Sequence, residues 1–147
     1  MAKKTDQPAT TWAGKMKEWG GGDFTFLSSD GEALTFIVCG LPVLMKSIYK
    51  GKEQERIGCP VITENGYQLF VCGKRVGRKL SKFEKHFDKA AIMIVRRGVE
   101  GDQNAKYDVK VLPETETFDA LCVIRDTDFV PEMIPESIKA AEEVMQG

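Results

Sequence analysis

The side chains of this chain that could do chemistry are mainly cations, and they are densest between Gly73 and Lys79. That segment, Gly-Lys-Arg-Val-Gly-Arg-Lys, holds four positive charges and two glycines in seven residues. Clustered lysine and arginine create a field that attracts phosphate groups. We therefore predict a basic hairpin here whose cations contact a nucleic acid: Lys74, Arg75, Arg78 and Lys79.

The sequence gives little support for catalysis or for a metal site. The basic segment lacks the spacing of a G-x-x-x-x-G-K-[ST] phosphate loop, and no serine or cysteine carries a nucleophile signature. The one histidine, His86, lies among lysines, and Asp126 and Asp128 lie in an acidic linker. The cysteines are far apart without a C-x-x-C pair, which favours reduced, buried thiols over zinc. We expect no enzyme, no cofactor and no metal; the four cysteines are Cys39, Cys59, Cys72 and Cys122.

The charges are sorted along the chain, which the net charge of −1 hides. From Lys46 to Lys110 there are 15 lysines and arginines against 8 acidic residues, and from Val111 to the end there are 2 against 9. A basic middle and an acidic tail are typical of a nucleic-acid-binding surface with an acidic arm. Chance clustering of surface charges is the alternative.

Local signals predict the elements that position these cations. Lys106 to Leu112 alternates as a half-buried strand does, and Asn65-Gly66 predicts a hairpin. Ser81 and Glu84 have the spacing of a capping box, which predicts the start of a helix. We predict strand one at 33–49, strand two at 55–63, strand three at 67–77, a helix at 82–90, strand four at 91–98 and strand five at 105–112, with a bend in strand one at Gly40-Leu41-Pro42.

This order is that of an all-β protein with a small helix, the five-stranded OB-fold barrel, whose helix lies between strands three and four. Phe83 and Phe87 would close the open bottom of the barrel. A β-sandwich with one helix is the competing architecture, and only the position of the helix favours the barrel.

Three regions are predicted along the chain: a flexible N-terminal arm at 1–22 with a possible short helix between Trp12 and Trp19, an OB-fold domain at 23–125, and an acidic C-terminal tail at 126–147. The domain would begin with a hairpin that turns at Asp30-Gly31. It would end in a strand at Ala120 to Ile124. The tail would carry a short helix with an apolar stripe of Ile138, Ala141, Val144 and Met145.

A single-strand binding site needs cations for the phosphates and exposed rings on which bases stack. Beside the basic segment, the candidate cations are Lys50, Arg56, Arg96 and Lys106. The candidate rings are Tyr49, Tyr67, Phe70 and Tyr107. Because side chains alternate along a strand, only some of these rings can face outward. The sequence does not decide between Tyr67 and Phe70.

Residues 96–107 resemble the closing hairpin of bacteriophage single-stranded-DNA-binding proteins of the OB type: Arg96-Arg97-Gly98, a polar loop from Gly101 to Asn104, then Ala105-Lys106-Tyr107. The opening from Asp23 to Tyr49 and the acidic C-terminal arm are similar to that group as well. The chain lacks the terminal aromatic that some members use to bind replication partners, and it lacks a zinc-binding cluster.

The resemblance implies a protein that binds single-stranded DNA without strong sequence preference in phage DNA replication or recombination. Its partners would be the DNA, replication or recombination proteins that bind the acidic tail, and further copies of itself in a homo-oligomer.

No apolar run long enough for a membrane span and no signal peptide are visible, so we expect a cytoplasmic location, in the host cell if the chain is phage-encoded. The alternatives are a phage structural or assembly subunit of β-sandwich type without nucleic-acid binding, and an inhibitor protein that docks on a host enzyme.

Overall fold

Seven strands and three helices make up the part of the chain that this computed structural model describes, which is residues 24–27, 29–49, 51–101 and 104–146, without the side chains of Tyr49 and Gln146. The predicted N-terminal arm with Trp12 and Trp19 lies outside these residues. The strands are β1 Phe24–Thr25, β2 Ala33–Val38, β3 Val43–Tyr49, β4 Lys52–Thr63, β5 Gly66–Cys72, β6 Ile92–Arg97 and β7 Lys106–Val111. The helices are α1 Lys74–Ser81, α2 Thr115–Asp128 and α3 Met133–Gln146, with a short 3-10 turn at Glu84–His86.

All seven strands belong to one open sheet with the order β1-β5-β4-β2-β6-β7, and β3 pairs with the first half of β4. The long β4 pairs with β3 from Lys52 to Gly58 and with β2 at Val61 and Ile62. β2 also pairs with β6, so it joins the two halves of the sheet. β1 is parallel to β5, and the other pairs are antiparallel.

The register gives the sheet two apolar faces. On the first face, Phe36, Phe70 and Ile92 belong to one buried cluster, together with Val76 and Leu80 of α1. Because successive residues of a strand point to opposite faces, Ile37, Tyr67 and Leu69 lie on the second face. We call the first the α1 face and the second the C-terminal face.

Helices α2 and α3 cover much of the C-terminal face. Leu121 of α2 is buried in one cluster with Ile37, Ile62 and Tyr67. Ala141 of α3 is buried in another with Met45, Leu69 and Val71. The acidic end of the chain is thus packed on the sheet through two helices. Of the predicted apolar stripe, Ile138, Ala141 and Met145 face the sheet, whereas Val144 is exposed.

The prediction of a mainly β protein is confirmed, and the five predicted strands are present as β2 with β3, β4, β5, β6 and β7. The interruption predicted at Gly40-Leu41-Pro42 separates β2 from β3. The hairpin predicted before Tyr67 is confirmed, with Thr63 opposite Gly66. Within the described residues, β7 pairs with β6 only, so the strands do not pair around a closed barrel.

The prediction for residues 73–90 is wrong in its boundaries. The segment predicted as a basic hairpin is helix α1, and strand three ends at Cys72 rather than residue 77. Ser81 is the last residue of α1, and its Oγ donates to the carbonyl of Arg78 at 2.7 Å instead of capping a later helix. Phe83 and Phe87, predicted on a helix, flank the 3-10 turn and pack against the cluster of the α1 face.

Two other predicted elements are wrong. Residues 120–124 belong to α2 and not to a strand, because Phe118, Leu121 and Cys122 have helical spacing and pack on the C-terminal face. The turn at Asp30-Gly31 exists, with Gly31 at φ 81°, yet it does not join a hairpin. β1 instead pairs with β5 on the other side of the sheet.

Among the described residues, no helix has the length and apolar character needed to cross a membrane.

The burial of Phe70 generates a stability prediction. Phe70→Ala should lower the free energy of unfolding by about 3–5 kcal/mol, since it removes a buried ring that lies 6.1 Å from the ring of Phe36. Phe26→Ala, at an exposed ring, should cost less than about 1 kcal/mol. Urea denaturation followed by fluorescence measures both, and equal small losses would show that Phe70 is not part of the core.

Candidate nucleic-acid interface

Helix α1 separates its apolar and cationic residues onto opposite sides. Val76 and Leu80 are one helical turn apart and buried on the α1 face of the sheet. Gly77 lies beside them and faces Ile57 of β4, where a Cβ built on the glycine would be at an ordinary contact distance of 3.4 Å from Cγ1 of Ile57. The other side of the helix, which is exposed, carries Lys74, Arg75, Arg78 and Lys79. The helix contains no acidic residue, so this side is uniformly positive.

Two of these cations have protein partners. The Lys74 ammonium forms an ion pair with the carboxylate of Glu55 on β4, and both side chains are solvent-accessible. The Lys79 ammonium donates a hydrogen bond to the backbone carbonyl of Tyr107 at the free edge of β7. In the described part of the chain neither Arg75 nor Arg78 has a carboxylate partner. These two guanidinium groups are therefore the cations most available to a phosphate.

The N-terminus of α1 adds to the positive character. Its N-cap is Gly73, which supplies no side-chain cap, and the first turn has no acidic residue. Arg56 is half-buried on β4, with its Nη1 atom 3.7 Å from the position of a Cβ built on Gly73. Of the predicted cations, Arg56 is thus close to the basic helix.

The contact between Lys79 and Tyr107 brings β7 next to α1. Lys106 and Lys110 are exposed on β7, on the C-terminal face, beyond the area where α2 and α3 pack. Arg97 lies opposite Lys106, and its Nε atom donates to the Asp108 carboxylate at 2.9 Å. We use "cationic surface" for the exposed side of α1 together with the β7 lysines: Lys74, Arg75, Arg78, Lys79, Lys106 and Lys110.

Arg96, predicted as a cation of the binding site, is buried and has partners within the protein. Its side chain is buried on the α1 face, where it donates to the Tyr107 hydroxyl at 2.8 Å and to the carbonyls of Gly98 and Val99. The guanidinium also lies 5.7 Å from the centre of the Tyr107 ring. Arg96 therefore holds the start of the β6–β7 loop, and Tyr107 is half-buried beside it.

The predicted stacking rings are mostly unavailable. Phe70 is buried in the cluster of the α1 face. Tyr67 is buried on the opposite face, where its ring stacks on Phe129 at 5.3 Å and its hydroxyl contacts Ser137 Oγ at 2.8 Å. Both rings are therefore buried, Tyr67 beneath the C-terminal helices and Phe70 within the cluster of the α1 face. The side chain of Tyr49 and the whole of Lys50 lie outside the described residues.

The predicted set missed Lys110, which lies on the same side of β7 as Lys106. The clean alternation of 106–112 contained this information, since residues 106, 108 and 110 share one face. The set also did not identify Glu55 as the partner of Lys74. That contact depends on how α1 packs against β4, which no local pattern reveals.

The cysteines show no arrangement for a metal. Cys59 and Cys72 are buried with their sulfur atoms 4.0 Å apart, and all four cysteines are free thiols. Burial raises the pKa of the Cys39 thiol to about 12, which keeps it protonated. Within the described residues, no group of three or more His, Cys, Asp or Glu side chains could hold a metal ion.

No protein family model matches the chain, and no curated protein and no solved structure matches it.

The Lys74–Glu55 pair generates a pH prediction. The hydrogen bond and the charge of Lys74 lower the pKa of Glu55 below its ordinary value. Because the pKa is lower in the folded state, ionised Glu55 contributes fully to the free energy of unfolding above the unfolded-state pKa of about 4.3. This contribution is lost as the pH falls through the folded-state pKa of Glu55. Lys74→Ala should return the pKa of Glu55 towards normal. Carboxyl ¹³C shifts measured against pH give the pKa of Glu55 in the wild-type chain and in the variant. A Glu55 titration that is the same in both would contradict the pairing.

Proposed function

We propose that this protein binds single-stranded DNA, without strong sequence preference, through the cationic surface. The supporting observation is the solvent side of α1, where Lys74, Arg75, Arg78 and Lys79 form two rows without an acidic residue in the helix. When protein cations neutralise a row of phosphates, the counterions bound to the nucleic acid are released. This release supplies most of the non-specific affinity for nucleic acids.

The position of the surface fits a chain of phosphates better than a single anion. The rows of α1 meet β7 where Lys79 contacts the carbonyl of Tyr107, and Lys106 and Lys110 continue along that strand. A lone anion needs a few convergent donors, whereas a polymer needs cations spread along a path. Half-buried rings are nearby, because Phe83 and Phe87 follow α1 and Lys79 contacts the backbone of Tyr107. These rings are our candidates for base stacking.

We further infer that the sheet is an OB barrel opened at one seam. The helix between the third and fourth long strands and the pairing of β2 with both β4 and β6 support this. In this interpretation β1 occupies the edge of β5 that the last strand would take in a closed barrel. The usual OB ligand face lies on the second and third strands, which here are β4 and β5. Because α2 and α3 cover its outer side, we place the DNA on α1 and β7.

The biological setting, phage DNA replication or recombination, is proposed from the sequence resemblance alone. The acidic C-terminal part would then weaken binding through its field and offer a surface to partner proteins. Since α2 and α3 bury Leu121 and Ala141 against the sheet, their removal would also expose the core. The role of their charge is therefore tested by substitution and not by truncation.

Arg75→Ala with Arg78→Ala should weaken binding to poly-dT about tenfold at low salt and reduce the slope of log K against log[salt] by about 1.4, two lost contacts at roughly 0.7 each. Arg125→Ala with Lys139→Ala removes the same charge from α2 and α3 and serves as the matched control. Fluorescence anisotropy over a salt series measures both slopes.

No binding of the wild-type chain at low salt would end the proposal and favour an assembly subunit. Equal losses in the two double variants would mean that net charge, and not the surface on α1, governs binding.

Glu136→Gln with Glu143→Gln, at exposed positions of α3, should tighten binding a few-fold at low salt, with the gain disappearing near 1 M salt, where the Debye length is about 3 Å. Anisotropy with the same oligonucleotide measures the gain, and equal thermal unfolding curves confirm that α3 is intact. An unchanged affinity at low salt would show that the acidic helices do not act on the DNA.

A further inference from the structure

β3 is an edge of the sheet, because within the described residues it pairs with β4 alone. The N–H of Lys46 does not point towards β4 but donates to Oε2 of Glu142 on α3, at 3.3 Å. Backbone groups of successive residues in a strand point to opposite edges. Those of Leu44 and Ile48, each two residues from Lys46, therefore point the same way as those of Lys46. An edge of this kind is a template for another strand.

The side chains of this edge are unusually apolar for an exposed position. Leu44 and Ile48 lie on the α1 face but beyond its buried cluster, with 53% and 51% of their surface exposed. Lys46 lies between them and forms an ion pair with Glu53 at 3.6 Å. Glu55 is directly opposite Lys46 in the β3–β4 register. Natural edge strands usually avoid exposed apolar side chains, since these promote strand pairing.

We propose that β3 pairs with β3 of a second copy of this chain, antiparallel and about a two-fold axis at Lys46. The order Leu-x-Lys-x-Ile presents leucine and isoleucine at equal distances from the lysine. An antiparallel pair centred on Lys46 therefore places Leu44 of each copy opposite Ile48 of the other. Apolar cross-strand pairs of this kind stabilise a sheet.

The charges are balanced in the same register. The two Lys46 side chains meet at the axis, where each forms an ion pair with Glu53 of its own copy, and each Glu55 is paired with Lys74, so four cations lie among four carboxylates. Because Leu44 of each copy contacts Ile48 of the other and Lys46 faces its own counterpart, the same patch is used on both copies, and the interface is isologous and closes at a dimer.

Glu142 sets the strength of this pairing. Its carboxylate accepts the central edge N–H within one copy, in an exposed hydrogen bond that is long at 3.3 Å. That bond must break before Lys46 can pair with a second β3. Glu142 is thus a cap that opposes the dimer, and its loss should strengthen association.

Pairing has a consequence for DNA binding that rests on the proposed function. Leu44 and α1 are on the same face of the sheet, so a dimer would place two α1 helices on one side of a continuous sheet. The dimer itself is measured without DNA, so failure of either proposal leaves the other standing.

Sedimentation velocity of the full chain over a range of concentrations, without DNA, tests the pairing. The wild-type chain should show a monomer–dimer equilibrium that Leu44→Lys with Ile48→Lys weakens at least about tenfold. Leu41→Lys, at a residue 80% exposed outside β3, should leave it unchanged. Glu142→Ala should tighten the dimer, whereas Glu143→Ala on the same helix should not. A wild-type chain and a Glu142→Ala variant that both stay monomeric would overturn the proposal, as would a dimer unaffected by the two lysines.

A second measurement does not depend on the stability of the variants. Lys46→Cys should be cross-linked between copies by a short bismaleimide faster than Lys110→Cys, which is exposed on the distant β7. The unsubstituted chain corrects for its own four thiols. Equal rates for the two variants would show that the copies do not meet at Lys46.

Discussion

The packing of α1 on the sheet determines the arrangement of the charges in this protein. Val76 and Leu80 are buried in one cluster with Phe36, Phe70 and Ile92, and each such side chain contributes roughly 1.5–3 kcal/mol when it leaves water. Once this apolar side is fixed, the helical repeat leaves its four cations no position except the solvent side. The charged surface is therefore a consequence of the same burial that holds the helix in place.

The second layer, formed by α2 and α3, restricts where a ligand can bind. Tyr67, Leu69 and Val71 would be the outer face of β5 in a two-layer protein, but here they pack against α2, α3 and the residues beside them. The acidic end of the chain packs on one face of the sheet, and the basic helix packs on the other, against β4 and β7. The exposed cations on β7 adjoin the basic helix where Lys79 reaches the Tyr107 carbonyl. The cations of α1 are thus on the side of the sheet opposite the acidic helices, whereas Lys106 and Lys110 are on the same side as those helices, beyond the area where they pack.

The strands and turns could be predicted from sequence because their signals are local. Alternation in Lys106 to Leu112 and the turn at Asn65-Gly66 needed no knowledge of distant residues. The basic segment was misjudged because Gly77 lowers helix propensity, and the helix is instead stabilised by the burial of Val76 and Leu80 against strands distant in sequence. The rings were misjudged for a related reason. Tyr67 and Phe70 point to opposite faces of β5, and only the packing of the C-terminal helices on one face and of Phe36 and its neighbours on the other shows that both faces are covered.

We propose that DNA lies on α1 and β7 and not on the part of the C-terminal face that α2 and α3 cover. The most direct test is a ¹H–¹⁵N correlation spectrum of the labelled chain recorded during titration with a short oligo-dT at low salt. We predict that the amide shifts that change most belong to residues 74–82 and 106–110, and that they reverse when salt is added. Changes confined to residues 115–146, or no changes at all, would contradict it.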